Sequence, residues 1–467
     1  LWGMGFGALY LLTAARTPQW ADASKLTLYA LHGYFPSLNP GDHPGWTVLA
    51  WLWLQLVPQD PILACHWFSA LAGALSVAFL VKLLLLQEKP PQVVRGAAVV
   101  WGVAHSLWWA AASTETYTLA SALTLACLVA GHKKKGFLAG LLAGWAAATH
   151  GLTLFLTAPA LATRTGLGQR ATGFIVGSSP VWLGLFFNPG RDPLTGHSSA
   201  GLPSLAWHVA SFLSPSRVLL GLARLVALLL WNLGPLGLWA WWQASPGRRP
   251  ALWRLAVLAL FLALYAPFRL HLMVGFLLLG LLLWRPPSLT KAAAGLQLLT
   301  QMALYLGVPW ALTHWNLAGL YLRPLPYRNN ATYFLNPVKA SDRSAHHYAL
   351  ELFSTAPPNA VILADFNPGA VLKLMQETRK LRPDITVEPT VVDNCVRSAK
   401  PAQCLAQRIK EVLEQGRPVL LADAYEPYYR LSELGDLGLA VSVEKSGRPP
   451  KIRWRADRDS NPEPSDP

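Results

Sequence analysis

The chain has 467 residues, of which 53% are hydrophobic and only 13% charged, and it holds 21 Trp. That balance excludes an ordinary soluble globule and points to a multi-pass membrane protein. The formal net charge of +15 is unevenly spread, with 19 Lys and Arg against six acids in residues 1–321 and 20 against 18 in residues 322–467. The basicity therefore flanks apolar runs, where it sets orientation, and is not a nucleic-acid footprint.

In chain order, eleven spans are predicted at about 1–15, 61–86, 96–112, 115–131, 136–149, 151–163, 171–187, 216–243, 251–266, 270–284 and 292–313. The first has no cleavable signal-peptide pattern, and because the chain starts at Leu1 a preceding segment is expected to be missing. One set of connections carries Lys82, Lys89, Arg95, Lys133 to Lys135, Arg164, Arg170, Arg248, Arg249, Arg254, Arg285 and Lys291. The opposite set carries Arg16, Lys25, Arg191, Arg217, Arg224 and Arg269. The excess marks the first set as cytoplasmic. Loop 16–60, the Ser113–Tyr117 turn, loop 188–215 and everything after 314 then lie outside, in the periplasm of an inner-membrane protein.

The acids sort the same way. Six occur in the first 341 positions, and Asp22, Asp42, Asp60, Glu115 and Asp192 fall outside, with Glu88 alone inside. His32, His43, His150, His197, His208, His271 and His314 also fall on or near the outer face. Carboxylates are scarce where lipid is the solvent, so such a gathering points to chemistry. The plainer account is that outer loops are simply where polar residues can live.

Within loop 16–60, Asp22 fits either a helix cap for Ala23–Leu31 or a carboxylate facing the bilayer surface. Pro40-Gly41-Asp42-His43-Pro44-Gly45 reads as a rigid turn, and Trp46–Val57 as an interfacial helix too short to span. Glu115 starts a helix at the outer boundary, which suits either an ordinary first-turn Glu or a functional carboxylate stabilised by the helix dipole. His150 ends its span at the same boundary. Loop 188–215, rich in Pro and Gly, is long enough to fold over a site as a lid.

After residue 321 the pattern changes. Helices are predicted over 347–353, 367–380 and 402–415, and strands over 360–366, 385–388, 418–423 and 439–444. This alternation suggests a small extracytoplasmic α/β domain over 322–446 with a mainly parallel sheet, followed by a disordered tail at 447–467. Asp365 and Asp423 stand at strand ends, where they could frame a ligand crevice or be plain surface aspartates. Asn330-Ala331-Thr332 fits a glycosylation acceptor only in a eukaryotic secretory setting. Cys65 and Cys127 read as small core residues, while Cys395 and Cys404 lie where a disulfide is permitted.

Four segments together resemble a bacterial multi-pass family of unassigned function related to protein O-mannosyltransferases, similar to a eukaryotic transmembrane plexin O-mannosyltransferase. They are Asp22-Ala23-Ser24-Lys25 with His43-Pro44-Gly45-Trp46; Glu115-Thr116-Tyr117-Thr118-Leu119; Gly140-Leu141 through Gly144 to His150 with Pro159; and Asn359-Ala360-Val361-Ile362 with Leu381-Arg382-Pro383-Asp384-Ile385. The resemblance implies a GT-C glycosyltransferase fold and a polyprenyl-phosphate sugar donor. It makes Asp22 the general base on the acceptor hydroxyl, with Glu115 and His150 lining the site. Lys25 stands where the family has an acid: if that acid serves a metal, this chain should lack metal dependence, and the alternative reading is a degenerate or inactive member; no metal ligands are assigned.

The chemistry asks for two things independently of that resemblance. Inverting transfer from a lipid phosphate needs a base within reach of the acceptor proton and cationic or hydrogen-bonding groups for the leaving phosphate. Asp22 and Glu115 are the base candidates, and His43, Arg191, His208, Arg269 and His271 the phosphate candidates. Arg269 and His271 also fit generic snorkelling at a membrane boundary. The partners expected are membrane lipid, a polyprenyl-phosphate sugar, and a protein or glycan acceptor. A flippase of lipid-linked sugars and a non-catalytic scaffold are the competing classes. The flippase would show broken helices and polar groups at mid-membrane.

Overall fold

The computed structural model describes residues 1–36, 42–57, 60–162, 166–186, 192–194, 215–244, 252–265, 270–315, 323–442 and 451–454. Helices dominate up to His314, and a mixed sheet follows. Asp60 starts the longest unbroken apolar helix, Pro61–Leu86, by accepting from Ile62 N at 3.1 Å, with Pro61 in the first turn where its missing N–H is no loss. Thr290 caps Lys291–His314 in the same way through Ala293 N at 3.2 Å.

Two described helices, Pro61–Leu86 and Leu219–Gln243, are individually long and apolar enough to cross a bilayer. Several predicted spans are instead divided. Span 96–112 becomes Pro91–Gly102 and His105–Ala111, and span 171–187 becomes Leu167–Gly177 and Ser179–Phe186. Large side chains such as Leu56, Phe186, Leu219, Trp242 and Leu299 lie exposed around these helices, as expected of a surface that meets lipid.

The breaks show how a helical membrane protein treats backbone groups that no water can reach. Where the helix stops at Gly102, Tyr10 Oη donates to Gly102 O at 2.6 Å and Tyr305 Oη to Val103 O at 2.9 Å. Asn232 Oδ1 accepts from Ser106 N, at the start of the next helix, at 2.8 Å. The helix Pro215–Gln243 is itself broken at Gly234 (φ 65°), before Pro235. Gln297 Nε2 donates to Leu233 O at 2.8 Å, Gln301 Nε2 to Trp231 O at 2.7 Å, and Gly237 N donates to Gln297 Oε1 at 2.9 Å. The positive φ requires glycine there, and a Cβ would also fall 2.0 Å from Gln301 Oε1.

The carboxy-terminal region carries β1 Val361–Leu363, β2 Thr386–Glu388, β3 Val419–Leu421, β4 Leu439–Ser442 and β5 Lys451–Trp454, in the order β2-β1-β3-β5-β4. β1, β2 and β3 pair in parallel, while β5 runs antiparallel to both β3 and β4. The strand at Lys451–Trp454 corrects the expectation of a wholly disordered tail; its Lys-Ile-Arg-Trp alternation suits a strand, and the gap between β3 and β4 gives it two partners. Cys395 and Cys404 form a disulfide. The buried core runs without interruption from the helices into this sheet.

Candidate functional site

Asp22 is the first residue of the Asp22–His32 helix and not its cap; that position falls to Ala21, held at φ 59°. The half-buried carboxylate therefore sits in the first turn, where the helix dipole favours its charge. The strap that leads to it is tied to the carboxy-terminal region, with Thr17 Oγ1 donating to Asp342 O at 2.8 Å and Trp20 Nε1 to Ser344 Oγ at 2.8 Å. Beyond Asp22, the helix rests on Phe366–Arg379. Lys25 Nζ lies 5.4 Å from the Tyr29 ring and 5.9 Å from that of Phe366, and His32 pairs with Glu377. That hydrogen bond raises the His32 imidazole above its ordinary range. Asp60, besides capping its helix, pairs with Arg379. Tyr29 Oη donates to Asp192 Oδ2 at 3.0 Å, so the short described piece of loop 188–215 also meets this helix.

Glu115 is buried two residues before the Tyr117–His132 helix. Its backbone is clasped by Ser69, which accepts from Glu115 N at 3.1 Å and donates to Glu115 O at 3.3 Å. Next to it, one imidazole joins the two acidic segments. His66 Nε2 donates to Thr17 O at 3.1 Å, and its Nδ1 is hydrogen-bonded to Thr114 Oγ1 at 2.8 Å. The strap before Asp22 and the turn holding Glu115 are thus bridged through a residue that hydropathy alone marks only as an oddity in a span.

His43 and His150, 107 positions apart, come together. Their rings stack with centroids 5.3 Å apart and planes 27° from parallel. His43 Nδ1 donates to Thr149 O at 2.8 Å, which fixes the ring's orientation. Gly45 is required by this approach, since a Cβ there would lie 2.7 Å from Thr149 N and Oγ1. Trp145 Nε1 donates to Gly45 O at 3.0 Å and locks the contact. Tyr117 and Phe276 complete the cluster, each with its centroid 5.1 Å from His150. Tyr117 brings this cluster within two residues of Glu115.

His271 sits apart in an aromatic cage, with Trp109 at 5.3 Å, Phe334 at 5.6 Å and His105 at 6.2 Å between centroids. Arg191, His208 and Arg269 lie outside the described residues. Asp365 and Asp423 do not frame an open crevice: both close on Arg323, which donates to Asp365 Oδ1 at 2.8 Å and Oδ2 at 2.7 Å and, through Nε, to Asp423 Oδ2 at 3.0 Å. Tyr429 Oη adds a bond to Asp365 Oδ2 at 2.7 Å. Nearby, burial pushes the Asp393 carboxyl up to about 7, with Asp365 adding to the effect. Asn330 takes part in internal hydrogen bonds to Arg328 and Arg323. No group of three or more metal-ligating side chains occurs among the described residues.

The four segments assigned to one side of the membrane by their charges therefore contact one another through named side chains. No family model matches the chain, and no curated protein is similar to it in sequence. Among solved structures, ArnT from Cupriavidus metallidurans bound to undecaprenyl phosphate is similar over 96% of this chain and 96% of its own, with a TM-score of 0.54 at 13% identity. The apo form of the same protein gives a TM-score of 0.49 at 12% identity over the same shares. At this identity the likeness is one of fold: the chain has an ArnT-like fold.

Proposed function

We propose that this protein is a multi-pass inner-membrane glycosyltransferase that moves a sugar from a polyprenyl-phosphate donor to a hydroxyl acceptor at the extracytoplasmic face. The observation that carries the proposal is the fold likeness, end to end, to a protein crystallised with undecaprenyl phosphate. Asp22 is the base that takes the acceptor proton as the hydroxyl attacks the anomeric carbon and the lipid phosphate departs, in an inverting step. Glu115 lines the same site, tied to the Asp22 strap through Thr114, His66 and Thr17. His43 and His150 present imidazole to the donor, and Arg191, His208, Arg269 and His271 are assigned to the leaving phosphate. The carboxy-terminal region, docked on loop 16–60, recognises the acceptor, which is a protein or a glycan. The relation to O-mannosyltransferases makes mannose or another hexose the first sugar to test.

A flippase reading draws on the break at Gly234. Its Gln297 and Gln301 side chains are, however, taken up by backbone groups that the break releases, which is a structural use. The test is direct. Purified protein in liposomes with a panel of polyprenyl-phosphate hexoses should release sugar from one of them onto added acceptor, and Asp22→Asn should stop it. Transport of the lipid-linked sugar between leaflets with no loss of sugar would overturn the transferase reading.

A further inference from the structure

A cavity of about 360 Å³ opens in the carboxy-terminal region, within the span of about 300–1,000 Å³ common for small-ligand sites. Its wall includes Arg328, Lys339, Asp342, Arg343, His347 and Tyr327. Val338 is the one aliphatic residue in the lining, so the cavity suits a water-soluble group and not a prenyl chain.

Its floor is unusual. Lys339 is buried, with 1% of its surface exposed, and among the described residues it has no carboxylate at ion-pair distance. Its Nζ lies 4.8 Å from the Trp109 ring centroid and 4.6 Å from that of Tyr333, and it donates to Tyr333 O. A buried ammonium of this kind is costly without an anion. Arg328 lies across Tyr333 and Phe334, at 5.1 Å from each, and it donates to Asn330 Oδ1 and to Arg323 O, neither of them a charged acceptor. In the same lining, Asp342 uses Oδ1 to accept from Ser344 N at 3.0 Å, while its buried Oδ2 has no hydrogen-bond partner. Three basic side chains and one carboxylate with an unpartnered oxygen line the same cavity, and together they ask for a ligand with an anionic substituent and a hydroxyl to donate. The cavity is also tied to the Asp22 strap, because Asp342 O and Ser344 Oγ are the acceptors for Thr17 and Trp20.

We propose that this cavity binds an anionic sugar unit, its carboxylate or phosphate held by Arg328, Lys339 and Arg343 and a hydroxyl donated to Asp342 Oδ2. The proposal rests on the transferase reading only in making that sugar part of the acceptor. Burial pushes the Lys339 ammonium down to about 7; Asp342 opposes that shift and Arg328 adds to it. His105, from the neighbouring helix, also faces Lys339 electrostatically. Above pH 7 the lysine loses its proton, so an anion that needs the ammonium binds less tightly as pH rises.

The experiment measures binding of glucuronate, glucose 6-phosphate and glucose to the full-length protein in detergent by calorimetry. Both anionic sugars should bind at least tenfold more tightly than glucose. Arg343→Ala, at an exposed position, should weaken glucuronate at least fivefold, and Lys339→Gln more. Glucuronate affinity should fall several-fold between pH 6 and pH 8, a range in which the sugar itself does not titrate. Equal binding of charged and neutral sugars, or none, overturns the proposal. So does displacement of glucuronate by undecaprenyl phosphate, which would make the cavity a lipid-headgroup site. If Lys339→Gln fails to fold, the Arg343→Ala and pH arms still decide. Because binding needs no turnover, a protein that binds glucuronate yet transfers no sugar sinks the transferase reading alone.

Discussion

The helical region and the carboxy-terminal region both bury polar groups, and they satisfy them by different means. Among the described residues, every ion pair has at least one partner after residue 323. Up to His314 the neutral side chains of Gln297, Gln301, Asn232, Tyr10 and Tyr305 close on backbone atoms, and the charged residues buried there are few, Glu115, Arg170 and Asp192 among the described residues. The difference follows from the solvent. In hydrocarbon a charge is expensive and a released carbonyl cannot turn to water, so a neutral donor is the economical partner. A water-facing region can hold charges, as Arg323 does between Asp365 and Asp423. Asp22, half-buried, and Glu115, buried, are carboxylates on the helical side of that contrast.

The largest effect expected from breaking that pattern is at Asp22. Asp22→Asn should lower turnover by about 10²–10⁴-fold, the usual share of a general base, with insertion and thermal stability unchanged. Full activity in the variant would remove the base assignment. Next, Arg323→Met strands Asp365, which is wholly buried, and should cost about 3–5 kcal/mol, read as a lower unfolding midpoint of the carboxy-terminal region. On the helical side, Gln301→Leu leaves Trp231 O without its donor and should cost about 1–3 kcal/mol, seen as faster thermal inactivation in detergent. If both substitutions cost the same, the contrast between charged and neutral satisfaction loses its energetic content.

A smaller effect comes from Asp393. Its carboxyl is pushed up to about 7 in the folded protein, against an ordinary value near 4, so the folded state holds the extra proton between those values. Stability should therefore fall as pH rises from about 4 to about 7. Asp393→Asn should flatten that slope, as followed by melting across pH 4–8. An unchanged slope would show that another group carries it.

Much of the helical pattern is legible in the amino-acid sequence, because long apolar runs have few ways to fold; 61–86 and 136–149 correspond to helices Pro61–Leu86 and Gly136–Thr149. The breaks at Gly102 and Gly234 are not legible. They depend on Tyr305 and Gln301 arriving from more than sixty positions away, which no local pattern records. The site shows the same division. Asp22, Glu115, His43 and His150 stand out as polar residues at the ends of apolar runs, yet the stack of His43 on His150 and the bridge through His66 are tertiary facts. Lys339 carries no local signal, since only the folded chain reveals that it is buried between Trp109 and Tyr333. The strand at Lys451–Trp454 was hidden by its charged, Pro-rich surroundings, and its alternation becomes informative once two neighbouring strands are in place.

The most direct measurement compares lipid-linked sugars and glycans by mass spectrometry in cells that carry the gene, lack it, or carry Asp22→Asn. The transferase account predicts that the deleted cells and the Asp22→Asn cells accumulate one polyprenyl-phosphate sugar and lose one glycan or glycoprotein product. Identical lipid-linked sugar pools and identical glycans in all three strains would contradict it.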